Sequence, residues 1–297
     1  MAQPANLKYH LYLGLREVAD LTRNALPAWL VPPRRDLGQE ISIAITTFSE
    51  RYENLLKPLY FRLSSMFPDV QIIVGINGQA DQGSQLEYLN RVQEELISKA
   101  PPNHIFILHD KPVGLARIWN ELLSLSQSPA TIILNDDLDV RPWFRRWAEK
   151  VDWTTDRLIR LNHTWSHFSI TRSLIDRIGA FDSDFPGIGF EDLDYEARLH
   201  FSAEPIVNLR CAQIRNLDHH PKKTSFDHIS DRIWGKYSSL NEQHFFSKWE
   251  RSPDPGDAYI RMLRAHVRAI GNHHAHRLND TAPRGRLGNT FYADRPA

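Results

Sequence analysis

Three carboxylates follow an apolar run near the middle of the chain. Asp136, Asp137 and Asp139 come directly after the apolar residues 130–134, in the sequence LNDDLDV. Crowded carboxylates repel one another, and a bound divalent cation relieves that repulsion. Oxygen ligands favour Mg²⁺ or Mn²⁺, either of which can also bridge a diphosphate. A solvated acidic turn before a helix that starts at Pro142 is the alternative, and the pattern alone leaves both interpretations open.

A second acidic segment, GIGFEDLDYEARL, occupies residues 187–199. Its glycines, Gly187 and Gly189, permit a close approach of the backbone to another group. Acidic residues in the first turn of a helix are stabilised by the helix dipole, so capping is one interpretation. Asp192 and Glu196, however, are four residues apart and would repel each other if both were solvated. A carboxylate of this segment is therefore a candidate general base.

Two adjacent histidines, His219 and His220, follow the apolar stretch 205–217. Neutral imidazole is a common metal ligand. Histidines at the end of a strand also serve structural roles or lie on the surface. Either histidine is thus a candidate metal ligand, and the sequence alone does not choose between these roles.

The segment 41–135 alternates between short apolar runs and longer amphipathic stretches. We predict strands at 41–46, 70–76, 104–109 and 130–134, and helices at 51–66, 84–99 and 114–126. This alternation predicts an α/β fold with a mainly parallel sheet and helices on both faces. Ligands of such sheets bind beyond the carboxyl ends of the strands, where the first acidic segment lies.

Composition and charge exclude some classes of function. The 297 residues carry 36 basic and 36 acidic side chains, and this balance argues against a nucleic-acid partner. The single cysteine, Cys211, cannot form an intramolecular disulfide. We expect a cytoplasmic protein, because the N-terminus lacks the pattern of a signal peptide and no apolar run is long enough to span a membrane.

The order of these segments resembles that of the family-two glycosyltransferases, which have the glycosyltransferase A fold. The similarity covers residues 41–250, and each motif is weak until the common order is considered. The matching segments are ISIAITTFSERYENL at 41–55, KPVGLARIWN at 111–120, LNDDLDVRPWF at 134–144, GAFD at 179–182, GFEDLDYEARL at 189–199 and NEQHFFSKW at 241–249. The resemblance implies a Rossmann-like, mainly parallel sheet flanked by helices, and the residue pattern beyond it predicts a helical C-terminal extension.

The resemblance implies a metal site for Mn²⁺ or Mg²⁺. Asp137 matches the last carboxylate of the family's D-x-D motif and would bind the metal, with Asp139 as a supplementary ligand. His219 or His220 matches the histidine that completes the metal shell. Asn135 departs from the family, because many members have an aspartate at this position.

The resemblance also implies catalytic and binding residues. Asp192 matches the general base, and Glu191 would orient that base or the acceptor. Asp194 and Trp165 would contact the acceptor. The residues implied for the nucleotide pocket are Thr46, Thr47, Phe48, Arg51, Asn77, Gly114, Arg117, Asp136 and Asp137.

The implied domain organisation has three parts. Residues 1–40 form an N-terminal helical segment and 41–250 the catalytic domain, with a nucleotide-binding half at 41–140 and an acceptor half at 141–250. Residues 251–297 form a basic helical tail. The tail either packs on the domain or contacts the inner face of a membrane, since its predicted helix has an apolar stripe and arginines on the other faces.

The implied activity is transfer of a sugar, with inversion, from a nucleotide-diphosphate sugar to an acceptor hydroxyl. We expect a UDP-sugar donor and a glycan or lipid-linked acceptor, in polysaccharide or glycoconjugate synthesis. Two alternatives stay open. A sugar nucleotidyltransferase shares the parallel sheet and acidic metal site, but usually has a glycine-rich loop where this chain reads TTFSER. A non-catalytic carbohydrate-binding protein would keep the fold, and Asn135 is compatible with that loss of activity.

Overall fold

The computed structural model describes residues 35–47, 51–78, 82–217 and 240–249. Its strands are β1 (Ile41–Thr47), β2 (Gln71–Ile76), β3 (Ile105–Leu108), β4 (Ala130–Asn135), β5 (Leu138–Val140), β6 (Leu158–Leu161), β7 (His167–Thr171), β8 (Ile206–Leu209) and β9 (Ile214–Asn216). Its helices are α1 (Lys57–Met66), α2 (Gln82–Glu95), α3 (Leu115–Leu125), α4 (Phe144–Ala148), α5 (Arg172–Ile178), α6 (Glu191–Phe201) and α7, which comprises the described residues 240–249.

Seven strands form one sheet in the order β3-β2-β1-β4-β7-β6-β8. The pairs β1–β2, β1–β4, β2–β3 and β6–β8 are parallel, whereas β7 runs antiparallel to both of its neighbours. The predicted α/β fold with a mainly parallel sheet flanked by helices is therefore confirmed. The four predicted strands are β1 to β4, and their ends agree with the prediction to within one or two residues.

The central strands are buried on both faces, as their uninterrupted apolar character predicts. Successive side chains of a strand point to opposite faces, so a fully buried strand needs cover on both sides. Ile43 and Ile45 of β1 belong to one core, with α1 and α2, while Ala44 belongs to the other, with α3. Each fully buried Ile or Leu side chain contributes about 1.5–3 kcal/mol to stability.

Helix α3 packs closely against β2 because that strand contains Gly75. A Cβ at Gly75 would lie 2.5 Å from the Cγ2 of Ile118. The contact places the N-terminus of α3 near the carboxyl ends of the strands. That edge of the sheet is where the polar and acidic segments converge.

A second sheet of two strands, β5 and β9, joins the first acidic segment to a later part of the chain. Leu138 pairs with Asn216 in an antiparallel register. Beyond that pair, the amide of Leu217 donates to the carbonyl oxygen of Asp137 at 2.8 Å. The chain therefore leaves β9 beside Asp137, two residues before His219.

The predicted boundary between the halves 41–140 and 141–250 lies within a continuous sheet, since β7 of the second half pairs with β4 of the first. Most of the predicted N-terminal segment and the whole tail lie outside the described residues, so their helices stay predictions. Across the described ranges, every helix is too short or too polar to cross a bilayer.

Candidate active site

The candidate site begins at the carboxyl ends of β1 and β4, which lie side by side. Thr46 of β1 pairs with Asn135 of β4, and its hydroxyl donates to the Asn135 Oδ1 at 3.4 Å. One residue further along both strands, the hydroxyl of Thr47 donates to a carboxylate oxygen of Asp136. The parallel register thus brings together polar residues that are 89 positions apart in the sequence.

Arg51 supplies the positive charge of this site. Its guanidinium Nη1 lies 2.7 Å from Asp136 Oδ1, and its Nη2 lies 3.4 Å from Asp137 Oδ2. All three side chains are nearly fully buried. Buried charges require partners, and loss of one partner typically costs about 3–5 kcal/mol. Arg51 therefore neutralises Asp136 and orients the two aspartates. With Thr47, these three residues form one contact network of four predicted pocket residues.

Asp137 differs from Asp136 in having a carboxylate oxygen that is available. Its Oδ1 is buried and has no hydrogen-bond partner among the described residues. An unsatisfied buried carboxylate oxygen is unfavourable unless a proton, water or cation satisfies it. A hard divalent cation prefers such an oxygen ligand. The residues present therefore fit a Mn²⁺ or Mg²⁺ ion at Asp137, and the role that the resemblance implies for this residue stays a prediction.

Asp139 lies in a different environment. It is on β5, and its two carboxylate oxygens accept from Arg62 at 2.9 Å and from Arg215 at 3.2 Å. Two guanidinium groups neutralise this carboxylate, which lowers its value as a cation ligand. Its predicted supplementary role at the metal stays a prediction.

His219, His220 and Phe48 lie outside the described residues. The bond between Leu217 and Asp137 brings the chain to the acidic segment just before the two histidines. A metal role for either histidine is compatible with this connection and stays a prediction.

Asn77 is bound within the protein at the end of β2. Its amide group donates to the carbonyl of Val113 at 2.9 Å and accepts from the Val113 amide at 2.9 Å. Its oxygen also accepts from the Gly78 amide at 3.0 Å, and the side chain is buried. Asn77 therefore holds the end of β2 to the loop before α3, and the structure gives no support for direct contact with a nucleotide.

Gly114 lies where two segments of backbone meet. A Cβ on this residue would lie 2.5 Å from the carbonyl oxygen of Phe185 and 3.2 Å from the carbonyl carbon of Pro186. The next residue, Leu115, donates its amide to the carbonyl of Gly187 at 2.9 Å. Glycine at position 114 therefore allows the segment that leads to the second acidic motif to pack on the start of α3.

We expect Gly114→Ala to destabilise the protein by about 1–3 kcal/mol, because the added methyl group would clash with backbone atoms. The backbone of Gly114 has φ −65° and ψ 150°, which alanine adopts without strain, so the effect is purely steric. Urea denaturation followed by circular dichroism measures the change. Ser124→Ala, on the exposed face of α3, is the control and should change stability by less than about 0.5 kcal/mol. Equal effects of the two substitutions would contradict the close packing.

Arg117 is exposed on α3. Its Nε lies 3.0 Å from Glu121, four residues further along the helix. Since an exposed pair of this kind is weak, its guanidinium is available for exchange with an anionic ligand. Contact with the nucleotide stays a prediction.

The second acidic motif forms the N-terminus of α6. Gly189 and Phe190 precede the helix with φ of +102° and +74°, and the helix begins at Glu191. Two contacts place this motif at the same edge of the sheet as Asp137. The loop before it bonds to the start of α3, and Trp165, in the loop before β7, donates to Glu196 of α6 at 3.3 Å.

Glu191 and Asp192 are adjacent carboxylates with different environments. Glu191 is buried, and its Oε2 has no hydrogen-bond partner among the described residues. Asp192 is partly exposed, and one of its oxygens accepts from the amide of Leu193 at 2.9 Å. Only Asp192 therefore combines contact with solvent and a position at the helix start, which is what a general base for a bound hydroxyl requires.

Desolvation, complete for Glu191 and partial for Asp192, raises the pKa of both carboxyl groups. Desolvation, followed by the charge of Asp192, raises the pKa of Glu191 well above its usual value. Desolvation also raises the pKa of Asp192 to about 6, with a further contribution from Glu196. A base with this pKa is ionised at neutral pH yet binds a proton more readily than an ordinary aspartate.

The raised pKa of Asp192 predicts the pH dependence of catalysis. Since the base must be ionised, kcat/KM should fall as the pH is lowered through about 6. Folding favours the protonated form of the Asp192 carboxyl. The contribution of this carboxyl to the free energy of unfolding is therefore fully present below its pKa in the unfolded chain, and it is lost as the pH rises through about 6. A pH–rate profile at constant ionic strength measures the acidic limb. A profile that stays level through this pH would argue against Asp192 as the base.

The structure does not support the predicted acceptor contacts of Asp194 and Trp165. Asp194 is fully buried, and its oxygens accept from Arg198 at 3.1 Å and from Trp249 at 3.1 Å. Trp165 is also buried, within an aromatic cluster that includes Phe168. Both side chains stabilise the helix that carries the acidic motif, because their polar atoms are bound within the protein.

Arg160 has a role in the site that its position in the sequence did not indicate. This residue lies in the otherwise apolar strand β6, and its Nη1 lies 3.0 Å from Glu196 in a pair that is about 1% exposed on each side. Its Nε donates to Asn208 of β8 at 3.0 Å. The pair offsets the repulsion between Asp192 and Glu196 that the spacing predicts. An arginine within an otherwise apolar strand is the feature of the sequence that could have indicated a buried ion pair.

Lys248 also had no assigned role, although it lies in the last of the matching segments. Its Nζ lies 2.7 Å from Asp182 and 2.8 Å from Asp194. Asp182, Asp184 and His244 have potential metal-ligand atoms within 4.8 Å of one another. Burial by itself would raise the pKa of Asp182. Hydrogen bonds from Lys248, the Asp184 amide and His244 outweigh that effect and lower the pKa to about 2. The cluster of Asp182, Asp184 and His244 is therefore better explained as part of an ion-pair network than as a cation site.

No protein-family model and no curated protein matches the chain. Among solved structures, a mannosyltransferase from Pyrobaculum calidifontis in complex with GDP-Man and Mn²⁺ is similar at a TM-score of 0.48 and 12% identity, over 79% of this chain and 72% of that chain. Glucosyl-3-phosphoglycerate synthase from Mycobacterium tuberculosis, in complex with Mn²⁺, UDP and phosphoglyceric acid, is similar at a TM-score of 0.46 and 16% identity, over 77% of this chain and 86% of that chain. S. aureus TarS is similar at a TM-score of 0.45 and 12% identity, over 72% of this chain and 44% of that chain.

One of these solved structures is named a mannosyltransferase. With TM-scores below 0.5 and identities of 12% to 16%, the similarity carries no argument about chemistry or substrate. We therefore base the proposed activity on the residues of this chain and their contacts.

Proposed function

We propose that this chain is a metal-dependent, inverting glycosyltransferase that uses a nucleotide-diphosphate sugar. The observation that carries the proposal is the pair of acidic motifs at one edge of a mainly parallel sheet. One motif has a buried carboxylate oxygen of Asp137 without a partner among the described residues. The other has Asp192, a partly exposed carboxylate with a pKa raised to about 6. A cation site and a base are the two features that such a transfer needs.

The two motifs have separate tasks in the proposed reaction. Asp137, with His219 or His220, would hold Mn²⁺ or Mg²⁺, which when bound offsets the charge of the departing diphosphate. Asp192 accepts the proton of the acceptor hydroxyl. The acceptor oxygen forms a bond to the anomeric carbon while the bond from that carbon to the diphosphate breaks. The nucleoside diphosphate leaves with the bonding electrons, and the attack from the opposite face inverts the configuration.

Glu191 is the proposed orienting residue, and its buried environment favours the protonated form. Its pKa is raised well above the usual value, because it is buried and lies beside Asp192. Two adjacent carboxylates do not readily ionise together, so the more exposed Asp192 carries the negative charge. Glu191 then has a proton that can be donated to the acceptor or to a neighbouring oxygen, which is the orienting role that the resemblance implies.

The floor of the proposed nucleotide pocket consists of Thr47, Arg51 and Asp136. Their mutual bonds hold the end of β1 against the end of β4. These contacts by themselves do not select one nucleotide over another. A UDP-sugar is our first expectation, with a glycan or lipid-linked acceptor in polysaccharide or glycoconjugate synthesis and a cytoplasmic location.

A donor screen tests the proposed activity. UDP-, GDP- and dTDP-sugars are incubated with the full chain and Mn²⁺, and released nucleoside diphosphate is measured by chromatography with and without EDTA. We expect release from at least one donor, and its loss on addition of EDTA. Binding of nucleotide without release would favour a non-catalytic carbohydrate-binding protein. Formation of a nucleotide sugar from a sugar phosphate and a nucleoside triphosphate would favour a nucleotidyltransferase.

The stereochemistry needs a separate measurement. The anomeric configuration of the product, read from proton NMR coupling constants, should be opposite to that of the donor. Retention of configuration would exclude a single displacement with Asp192 as the base, while leaving the transfer itself intact.

A further inference from the structure

Helix α7, residues 240–249, contacts the backbone immediately before the candidate base. The side-chain amide of Asn241 donates to the carbonyl oxygen of Gly189 at 2.7 Å, and both residues of this bond lie in the interior. The ring of Phe245 packs on the ring of Phe190, with centroids 5.8 Å apart. The N-terminal part of α7 thus contacts the two residues that lead into α6.

The other end of α7 binds α6 itself. The Lys248 Nζ lies 2.8 Å from Asp194 Oδ1, and the indole of Trp249 donates to the same oxygen at 3.1 Å. Lys248 also contacts Asp182, in the segment that approaches the motif, at 2.7 Å. Asp194 is fully buried, so its charge requires partners, and α7 supplies two of them beside Arg198 of α6.

The backbone that α7 contacts has an unfavourable conformation. Gly189 has a φ of +102° and Phe190 a φ of +74°. Glycine adopts positive φ readily, but a bulky residue such as phenylalanine rarely does. Such a conformation persists only where the surrounding contacts determine it. The bond from Asn241 and the packing of Phe245 act on these two residues.

We infer that α7 is a positioning element for the base, in which Asn241 and Lys248 hold the two sides of the turn that presents Glu191 and Asp192. This inference rests on the proposed function for the identity of the base. Asn241 restrains the backbone at Gly189, two residues before the helix begins. Lys248 restrains Asp194, two residues after the base. Both residues would act on the base through the turn that carries it.

A positioning role and a merely structural role predict different changes. If α7 only adds stability, loss of its contacts should weaken all parts of the fold together. If it positions the base, loss of one contact should loosen 187–194 while β1, β2 and β4 keep their protection. The kcat should then fall, while the KM for the donor stays close to its original value.

Hydrogen–deuterium exchange measured by mass spectrometry on the full chain tests the inference. The variants are Lys248→Met, which removes the charge from a side chain of similar length, and Asn241→Leu, which removes the donor to Gly189. Gln243→Met, on the exposed side of the same helix, is the matched control. We expect exchange of residues 187–194 to accelerate about tenfold in the first two variants, the scale of one lost hydrogen bond to a charged or buried group. The control should match the unmodified protein.

Kinetics and a conservative variant complete the test. With the donor found by nucleotide release, Lys248→Met should lower kcat about tenfold at an unchanged donor KM, and Lys248→Arg should restore most of the loss. Unchanged exchange at 187–194, or equal acceleration in β1, β2 and β4, overturns the inference. The exchange measurement needs no donor, so absence of transfer would reject the proposed function and leave this test intact. Active transfer with unaltered exchange would reject only the positioning role.

Discussion

Replacing Asp192 by asparagine should lower the rate of sugar transfer by about 10²- to 10⁴-fold, the usual contribution of a general base. Asparagine has nearly the same shape as aspartate but cannot accept the proton of the acceptor hydroxyl. The hydrogen bond from the Leu193 amide to the side-chain oxygen can still form, so the start of α6 should keep its structure. Steady-state rates with the donor identified by nucleotide release provide the measurement.

Binding measurements separate loss of the base from loss of the site. Calorimetric titration with nucleoside diphosphate and Mn²⁺ should give similar affinities for Asp192→Asn and the unmodified protein. Asp176→Asn, an exposed aspartate on α5, is the matched control and should retain full activity. Near-normal turnover by Asp192→Asn would show that another group accepts the proton. The acidic limb of the pH–rate profile should also disappear in this variant, because it reports the same carboxyl.

Replacing Asp137 by asparagine should weaken Mn²⁺ binding by about 100-fold or more, since even loss of an outer-shell partner of a metal ligand costs about 10- to 100-fold. The substitution removes the negative charge and replaces one carboxylate oxygen by an amide group. Arg51 keeps its closer partner, Asp136, at 2.7 Å, so the local fold should survive. The electron paramagnetic resonance signal of free Mn²⁺ measures the affinity directly, without reference to activity.

Asp139→Asn is the matched comparison for the metal site. Arg62 and Arg215 bind the carboxylate of Asp139, whereas one oxygen of Asp137 has no partner among the described residues. We therefore expect Asp139→Asn to leave Mn²⁺ affinity close to that of the unmodified protein. Equal losses in the two variants would show that Asp139 is a ligand, as the resemblance implies. No loss in Asp137→Asn would place the cation elsewhere.

The strands and the positions of the two acidic motifs could be predicted because they depend on local pattern. The apolar runs that became β1, β2 and β4 are buried on both faces, so each reads as continuously apolar. Strand β7 could not be predicted as antiparallel from its residues. That direction depends on the connection between β4 and β7, which no local pattern specifies.

The chemistry of individual carboxylates was harder to predict. Asp136, Asp137 and Asp139 look alike in the sequence, yet each has different partners in the folded protein. Asp136 meets Arg51 from 85 positions away, and Asp139 meets Arg62 and Arg215 from 77 and 76 positions away. Such pairs depend on strand order and helix packing, which spacing along the chain does not reveal.

The order of residues along the chain was thus enough to show where acidic groups follow the strands and that a cation and a base are the chemistry to expect there. Which of those groups remain available for that chemistry depends on contacts made in the folded protein. The fold engaged Asn77 and Asp194 in internal bonds, neutralised Asp139, and left an oxygen of Asp137 and the partly exposed Asp192. The physical reason is that a buried polar group must find a partner, and most partners come from distant parts of the chain that only the fold brings into contact.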